Sequence, residues 1–189
     1  MNRTLAIGAV PAGRYCVRAG GPADTDAIRE FLNCLSLQTR FLRFFTAVGP
    51  TAGLLRILSG DTPGTDVLVV SDANGSIVGH GMAAEIATAE ATAGGRRGVD
   101  IGLVVADSWQ GQGLGTVLLR LLAARAADRG IGTVLVEVLP DNARMLGLIE
   151  RHFPLARRAW NGDAISISAD ITRAAQREGA GRESHPAAA

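Results

Sequence analysis

The sequence contains no lysine, and all nineteen of its basic side chains are arginine. A phosphate-binding P-loop needs Lys followed by Ser or Thr, so that class of nucleotide site is excluded. The formal net charge is +1, which gives no electrostatic reason to expect a nucleic acid or an anionic membrane as partner. No apolar run approaches the roughly eighteen residues that a membrane span requires. The first residues are too weakly charged and apolar to predict a secretory signal.

Cysteine is also scarce. Cys16 and Cys34 form no CxxC pair and have no His at metal-ligand spacing, so no metal site is expected. We interpret them as two buried thiols in a reducing cytoplasm. The length of 189 residues, with 47% apolar and 20% charged residues, is typical of one globular domain. We expect this domain over residues 14–171, between a flexible lead-in (1–13) and a disordered polar tail (172–189).

Hydrophobic periodicity predicts alternating strands and helices. The predicted strands cover residues 14–20, 66–72, 77–87, 99–105 and 133–139, the last read as a central strand covered on both faces. Helices are predicted after Asp24 or Thr25, after Ser36, from Leu114 to a stop at Gly130, and over the segment that starts at Asp141. Asn74-Gly75 predicts a hairpin turn, and a second hairpin closes the chain. This order predicts an α/β domain around a mixed sheet.

The most informative stretch is WQGQGLGT (109–116), between the strand 99–105 and a leucine-rich helix. Its glycines, Gly111, Gly113 and Gly115, do not fit the dinucleotide fingerprint G-x-G-x-x-G, because the third comes one residue early. Glycines that precede a helix N-terminus favour an anion such as a diphosphate, bound by main-chain N–H groups. The alternative is a tight strand-to-helix turn that needs glycine only for close packing.

Two segments carry a resemblance to a known family. VVADSWQGQGLGTVLLRLLAARAADRG (104–130) resembles the acyl-CoA-binding core of the GNAT superfamily of N-acetyltransferases, whose signature Gln/Arg-x-x-Gly-x-Gly/Ala is matched by Gln110, Gly113 and Gly115. TVLVEVLPDNARMLGLIERHF (133–153) is similar to the strand, Asn and helix that follow in the family. The resemblance covers residues 14–171 and implies a mostly antiparallel mixed sheet with helices on both faces.

The resemblance implies that acetyl-CoA is the co-substrate and that the glycine loop binds its diphosphate through main-chain N–H groups. The end of the strand 99–105 would separate from the next strand and pair with the pantetheine arm. Asn142 would bind near the pantetheine; alternatively, it caps the helix that starts there. The expected coenzyme-binding residues are Leu103, Val104, Val105, Gln110, Gly111, Gln112, Gly113, Leu114, Gly115, Thr116 and Asn142.

Attack of an amine on a thioester requires the amine to lose a proton, so a general base is expected. A carboxylate in an otherwise apolar strand is unusual unless it is paired or functional, which makes Asp100, Glu137 and Glu85 the candidates. Each can alternatively form a salt bridge with an Arg or lie exposed at a strand end. Many GNAT proteins have a Tyr in the last helix that protonates the thiolate; Ile149 holds that position here. A Tyr acid is therefore not expected.

The segment LSLQTRFLRFF (35–45), together with Asp100, resembles bacterial protein-lysine acetyltransferases. On that resemblance Arg40, Phe41 and Phe44 line the acceptor site; alternatively, the phenylalanines pack in the core and the arginines are solvated. The leading expectation is a cytoplasmic, monomeric or homodimeric N-acetyltransferase that acts on a protein lysine. A small-molecule amine or amino acid as acceptor is the first alternative. A non-catalytic acyl-CoA-binding regulatory module is the second.

Overall fold

The computed structural model describes residues 15–86 and 97–171. The predicted lead-in (1–13) and tail (172–189) lie outside the described residues. The described chain forms seven strands and five α-helices: β1 (Tyr15–Ala19), α1 (Thr25–Cys34), α2 (Leu37–Phe44), α3 (Ala52–Leu58), β2 (Thr65–Asp72), β3 (Ile77–Ile86), β4 (Gly98–Val105), α4 (Leu114–Asp128), β5 (Thr133–Val138), α5 (Ala143–His152), β6 (Arg157–Trp160) and β7 (Ile165–Asp170).

The strands form one sheet in the order β1-β2-β3-β4-β5-β7-β6. The pairs β1–β2, β5–β7 and β6–β7 are antiparallel, whereas β4 and β5 are parallel. A parallel pair needs a crossover connection, and α4 lies between β4 and β5 along the chain. The mixed, mostly antiparallel sheet is confirmed.

Contacts divide the described chain into two compact units: residues 15–83 with 102–119, and residues 84–86 with 97–101 and 120–171. The single domain over residues 14–171 stays a prediction. Each unit has its own buried apolar side chains. In the first these include Val17, Ile28, Phe31, Leu32, Leu55, Leu58, Leu68, Val70, Leu114 and Leu118; in the second, Val99, Ile101, Leu122, Ile131, Val134, Val136, Val138, Ile149 and Ile167.

Helices cover both faces of β3 in the first unit. A Cβ at Gly79 would contact Leu118 of α4, whereas the next residue, His80, hydrogen-bonds the carbonyl of Leu58 at the end of α3. Successive strand residues point to opposite faces of a sheet. It follows that α4 and α3 lie on opposite faces, as the resemblance implied.

The predicted turns and caps are found at their positions. Gly75 has a φ of 85° in the turn between β2 and β3. Ser36 caps α2, because its hydroxyl accepts a hydrogen bond from the N–H of Thr39. At the end of α4, Gly130 has a φ of 75°, and the N–H of Ile131 reaches back to the carbonyl of Ala126. This is the left-handed helix stop that glycine favours. None of the described helices combines the length and hydropathy needed to cross a lipid bilayer.

Three details differ from the sequence prediction. Helix α3 was not predicted, because seven residues capped by Thr51 give too little periodicity to distinguish from a loop. The strand β5 is not covered on both faces, since its odd-numbered residues are less buried than its even-numbered ones and Glu137 is exposed. The thiols of Cys16 and Cys34 are exposed rather than buried. Cys16 alternates with buried Val17 on β1, and Cys34 lies off the buried Ile28–Leu32 side of α1.

Candidate active site

The glycine loop lies between a short 3-10 turn (Asp107–Trp109) and α4. Gly111 and Gly113 have φ values of 76° and 86°, in the left-handed region that disfavours any residue with a Cβ. A Cβ at either position would meet no atom within 4 Å. Close packing therefore does not explain these two glycines. Their backbone conformation explains them.

The loop leads directly into the N-terminus of α4. The N–H of Val117 donates to the carbonyl of Gly113 at 3.1 Å, so the N–H groups of Leu114, Gly115 and Thr116 precede the helical hydrogen bonds. The helix dipole adds partial positive charge at this end. Residues 111–113 are exposed. The geometry thus offers main-chain donors to an anion.

The two glutamine side chains of the loop bind within the fold. The Nε2 of Gln110 donates to the carbonyl of Val105, at the end of β4, and to the hydroxyl of Thr39 on α2, both at 3.1 Å. The Nε2 of Gln112 donates to the carbonyl of Ser108 at 3.0 Å. These bonds fix the path of the loop and leave the main chain of residues 111–113 exposed.

Asp107 is a residue that the sequence reasoning missed. Its carboxylate accepts hydrogen bonds from the N–H and hydroxyl of Ser36 (3.0 and 2.7 Å) and from the hydroxyl of Thr39 (2.6 Å). Burial alone would raise the pKa of Asp107, but the hydrogen bonds from Ser36 and Thr39 outweigh it and lower the pKa. No sequence signal marked this contact, because the partners are 68 and 71 residues away.

The two halves of strand β4 differ in their burial pattern. Its parallel ladder with β5 joins Gly98, Val99 and Asp100 to residues 133–135. Beyond it, burial loses its two-residue period: Val99 and Ile101 are buried, but the next buried side chain is Val104. A shift of this kind is what one inserted residue in a strand produces. Leu103, Val104 and Val105 lie in this second half, and Val105 accepts the bond from Gln110.

Two of the three candidate bases are exposed on one face of the second unit. Asp100 pairs with Leu135 across the parallel ladder, and Glu137 is two residues further along β5. Cross-strand partners and residues i and i+2 share a face, so both carboxylates project from the same side. The carboxylate of Glu137 accepts hydrogen bonds from Asn161 Nδ2 (3.1 and 3.0 Å) and the hydroxyl of Ser166 (2.7 Å).

Glu85, the third candidate, lies in a cluster of ion pairs. One oxygen accepts from Arg97 at 2.6 Å and the other from Arg129. The hydrogen bond from Arg97, and then that from Arg129, lowers the pKa of Glu85. A carboxylate held in its charged form in this way is a weaker proton acceptor. For Glu85, the structure therefore confirms the alternative of a salt bridge with arginine.

On α5, Asn142 is the N-cap, and its Oδ1 accepts a hydrogen bond from the N–H of Met145 at 3.1 Å. The capping alternative is therefore confirmed, while contact of Asn142 with pantetheine stays a prediction. Ile149, which holds the position where the resemblance implies a Tyr, is completely buried. Among residues 15–86 and 97–171, no group of three or more His, Cys, Asp or Glu side chains could hold a metal ion.

Comparison with known proteins decides the family. The family model described as "Acetyltransferase (GNAT) family" matches residues 35–153, which include the glycine loop, β4 and α5. This is more than half of the chain. The chain belongs to the GNAT family of acetyltransferases. No curated protein sequence matches it.

Solved structures have the same fold as this GNAT acetyltransferase. The GNAT domain of PAT from S. lividans has a TM-score of 0.73 and 22% identity, over 84% of this chain and 91% of that one. A spermidine N-acetyltransferase from Vibrio cholerae, solved with CoA and spermine, has a TM-score of 0.63 and 17% identity. The match covers 84% of this chain and 96% of that one. A phosphinothricin acetyltransferase from Sinorhizobium meliloti, solved with AcCoA, has a TM-score of 0.64 and 16% identity. The match covers 82% of this chain and 88% of that one.

Helix α2 of the GNAT enzyme is oriented opposite to the alternative in which its phenylalanines pack in the core. No residue of the helix is buried. Leu37 and Phe41 are 67% and 47% exposed, and Phe45, which follows the helix, is 39% exposed. They recur every four residues and so form one stripe. The predicted core packing of this segment is wrong; of the four phenylalanines between residues 31 and 45, only Phe31 is buried.

The arginines of α2 turn inward instead. Arg40 donates to the carbonyls of Asn33, Leu35 and Ala47 at 3.2–3.5 Å, which joins the end of α1 to the segment after α2. The guanidinium of Arg43 lies against Gly102 of β4, where a Cβ would overlap it, and 4.9 Å from the ring of Phe44. The carbonyl groups bind the guanidinium of Arg40, and Gly102 leaves room for that of Arg43. The rings of Phe41 and Phe45 stay exposed. Acceptor binding by Arg40, Phe41 and Phe44 stays a prediction.

Proposed function

We propose that this enzyme transfers the acetyl group of acetyl-CoA to the side-chain amine of a protein lysine. The observation that carries the proposal is the exposed glycine loop, with Gly111 and Gly113 at positive φ before the N-terminus of α4. Main-chain donors and a positive helix end fit a diphosphate. Relatives in fold were solved with CoA or AcCoA.

The coenzyme would occupy the loop and the end of β4. Its diphosphate accepts hydrogen bonds from the main chain of residues 110–116. The pantetheine arm lies along Leu103, Val104 and Val105, beyond the three-pair ladder with β5. An extended ligand with amide groups satisfies the backbone donors and acceptors of such a strand segment. Asn142 caps α5 through its Oδ1, and in this proposal it also lies near the pantetheine.

In the chemical step, the amine nitrogen attacks the thioester carbon, a C–N bond forms and the C–S bond breaks. The sulfur leaves as a thiolate, and the proton of the amine passes to a carboxylate directly or through a water. We assign this base to Asp100, with Glu137 on the same face as its alternative. A CoA thiol with a pKa of about 8.5 leaves without an acid, in agreement with the buried Ile149.

A protein acceptor is favoured by the exposed stripe Leu37–Phe41–Phe45 of α2. Neighbouring exposed apolar side chains often mark a surface that binds another protein. A macromolecule buries such a stripe, whereas a small polyamine does not need it.

The test measures free-thiol release from acetyl-CoA with lysine peptides and protein acceptors, against spermidine and free amino acids. Because the chain has no lysine, any acetyl-lysine found by mass spectrometry belongs to the acceptor. We expect Asp100→Asn to lower kcat by about a hundredfold or more, and Asp163→Asn, an exposed carboxylate in the β6–β7 turn, to leave it unchanged. Turnover with small amines alone would contradict the protein acceptor. Absence of turnover with every amine would contradict the enzyme assignment.

A further inference from the structure

A continuous chain of hydrogen bonds joins the glycine loop to α2. The Nε2 of Gln110 donates to the hydroxyl of Thr39, which itself donates to Asp107. Asp107 also accepts two hydrogen bonds from Ser36, the residue that caps α2. The loop thus contacts the first turn of α2 through one side-chain amide and one carboxylate.

Helix α2 depends on these bonds more than an ordinary helix would. It has eight residues, none of them buried. Isolated helices shorter than about twelve residues are marginal in water, and most helices in proteins are stabilised by a buried apolar face. The apolar side chains Leu42 and Phe44 are only half-buried, so the position of α2 also depends on the Asp107 cluster at its N-terminus and on Arg40 and Arg43.

We propose that Asp107 is a positioning residue that couples coenzyme binding at the glycine loop to the placement of α2. This inference rests on the proposed function. A diphosphate that binds residues 110–116 fixes Gln110, and Gln110 restrains Thr39 and Asp107. The N-terminus of α2, and with it the exposed stripe Leu37–Phe41–Phe45, is then held in one position. Occupancy of the coenzyme site therefore prepares the surface that meets the acceptor.

The experiment is hydrogen–deuterium exchange with coenzyme A as the probe, because it needs no acceptor. In the wild-type protein, saturating coenzyme A slows exchange both in the loop (110–116) and in α2 (37–44), the latter by about fivefold or more, the usual lower range of coupling between sites. In Asp107→Asn the loop is still protected, but α2 exchanges at the same rate with and without coenzyme A. By reciprocity, coenzyme affinity falls by no more than the coupling factor.

Thr39→Val is the second variant, since it removes the hydroxyl that links Gln110 to Asp107 and keeps the side-chain shape. It decides the question if Asp107→Asn does not fold. Asp163→Asn makes the same charge change at an exposed site in the β6–β7 turn and should behave as the wild type.

Two results would overturn the coupling: equal protection of α2 in the wild type and both cluster variants, or wild-type protection confined to the loop. Absence of coenzyme binding to the wild type would instead overturn the proposed function.

Discussion

His80 is buried completely on β3, and its Nε2 lies 2.8 Å from the carbonyl of Leu58. Burial lowers the pKa of His80 to about 4, and the nearby positive charge of Arg43 acts in the same direction. A neutral imidazole carries one N–H, so Nε2–H is the donor to the carbonyl of Leu58 and Nδ1 carries no proton. His80 is therefore uncharged in the folded first unit, close to the positive charge of Arg43.

The stability of the protein should depend on pH through this residue. The unfolded chain binds a proton near pH 6.5, whereas the folded chain does so only near pH 4. Stability from His80 is therefore complete above pH 6.5 and is lost as the pH falls toward 4. Between pH 7 and pH 5 we expect the wild type to lose about 2 kcal/mol more than His80→Gln, measured by urea unfolding. Equal losses in the two proteins would contradict the account.

Asp107 shows why part of the site was not predictable. The motif WQGQGLGT has a local physical meaning, because positive φ at Gly111 and Gly113 and the start of α4 are properties of neighbouring residues. The partners of Asp107 lie 68 and 71 residues away, and no local pattern encodes a contact of that separation. For the same reason, the ion pairs of Glu85 with Arg97 and Arg129 were one alternative among several.

Long helices and strands with a clear hydrophobic period were predicted well, and short ones were not. The strands β2 to β5 and the helices α1, α4 and α5 were predicted to within a few residues, because each shows a clear period and a turn or cap at an end. The seven residues of α3 were too few. The alternative in which the phenylalanines of α2 pack in the core is wrong, because it rested on hydrophobicity alone. Arg40 instead donates hydrogen bonds to the carbonyls of Asn33 and Leu35.

The exposed face of α2 leads to a prediction about the acceptor. Phe41→Ser should raise the KM for a protein acceptor by about tenfold, since an exposed aromatic anchor contributes 1–2 kcal/mol or more to many interfaces, and should leave the kinetics with a small amine unchanged. The free energy of unfolding should change by no more than about 0.5 kcal/mol, because Phe41 is 47% exposed.

The matched control for Phe41→Ser is Leu155→Ser. Leu155 is 82% exposed and precedes β6 in the second unit. The substitution Leu155→Ser removes a similar exposed apolar side chain at a position outside α2. It should leave the KM for the protein acceptor unchanged. A tenfold rise with Leu155→Ser, or none with Phe41→Ser, would exclude α2 as the docking surface.

For the whole molecule, the central claim is that this GNAT acetyltransferase binds coenzyme A through the main chain of its glycine loop. A ligand that binds only the folded state stabilises it, by about 2.7 kcal/mol at a hundred times its Kd. Gly113 and Gly75 allow a matched comparison. Their φ values are 86° and 85°, and a Cβ at either would meet no atom within 4 Å. Alanine at either position therefore costs a similar backbone strain of about 1 kcal/mol.

The decisive measurement is calorimetric titration of acetyl-CoA into the wild type, Gly113→Ala and Gly75→Ala. Wild type and Gly75→Ala should bind with the same Kd, and Gly113→Ala should bind at least about tenfold more weakly, because its Cβ and altered backbone disturb the N–H groups that meet the diphosphate. Equal affinity of Gly113→Ala and Gly75→Ala, or no binding by the wild type, would contradict the claim.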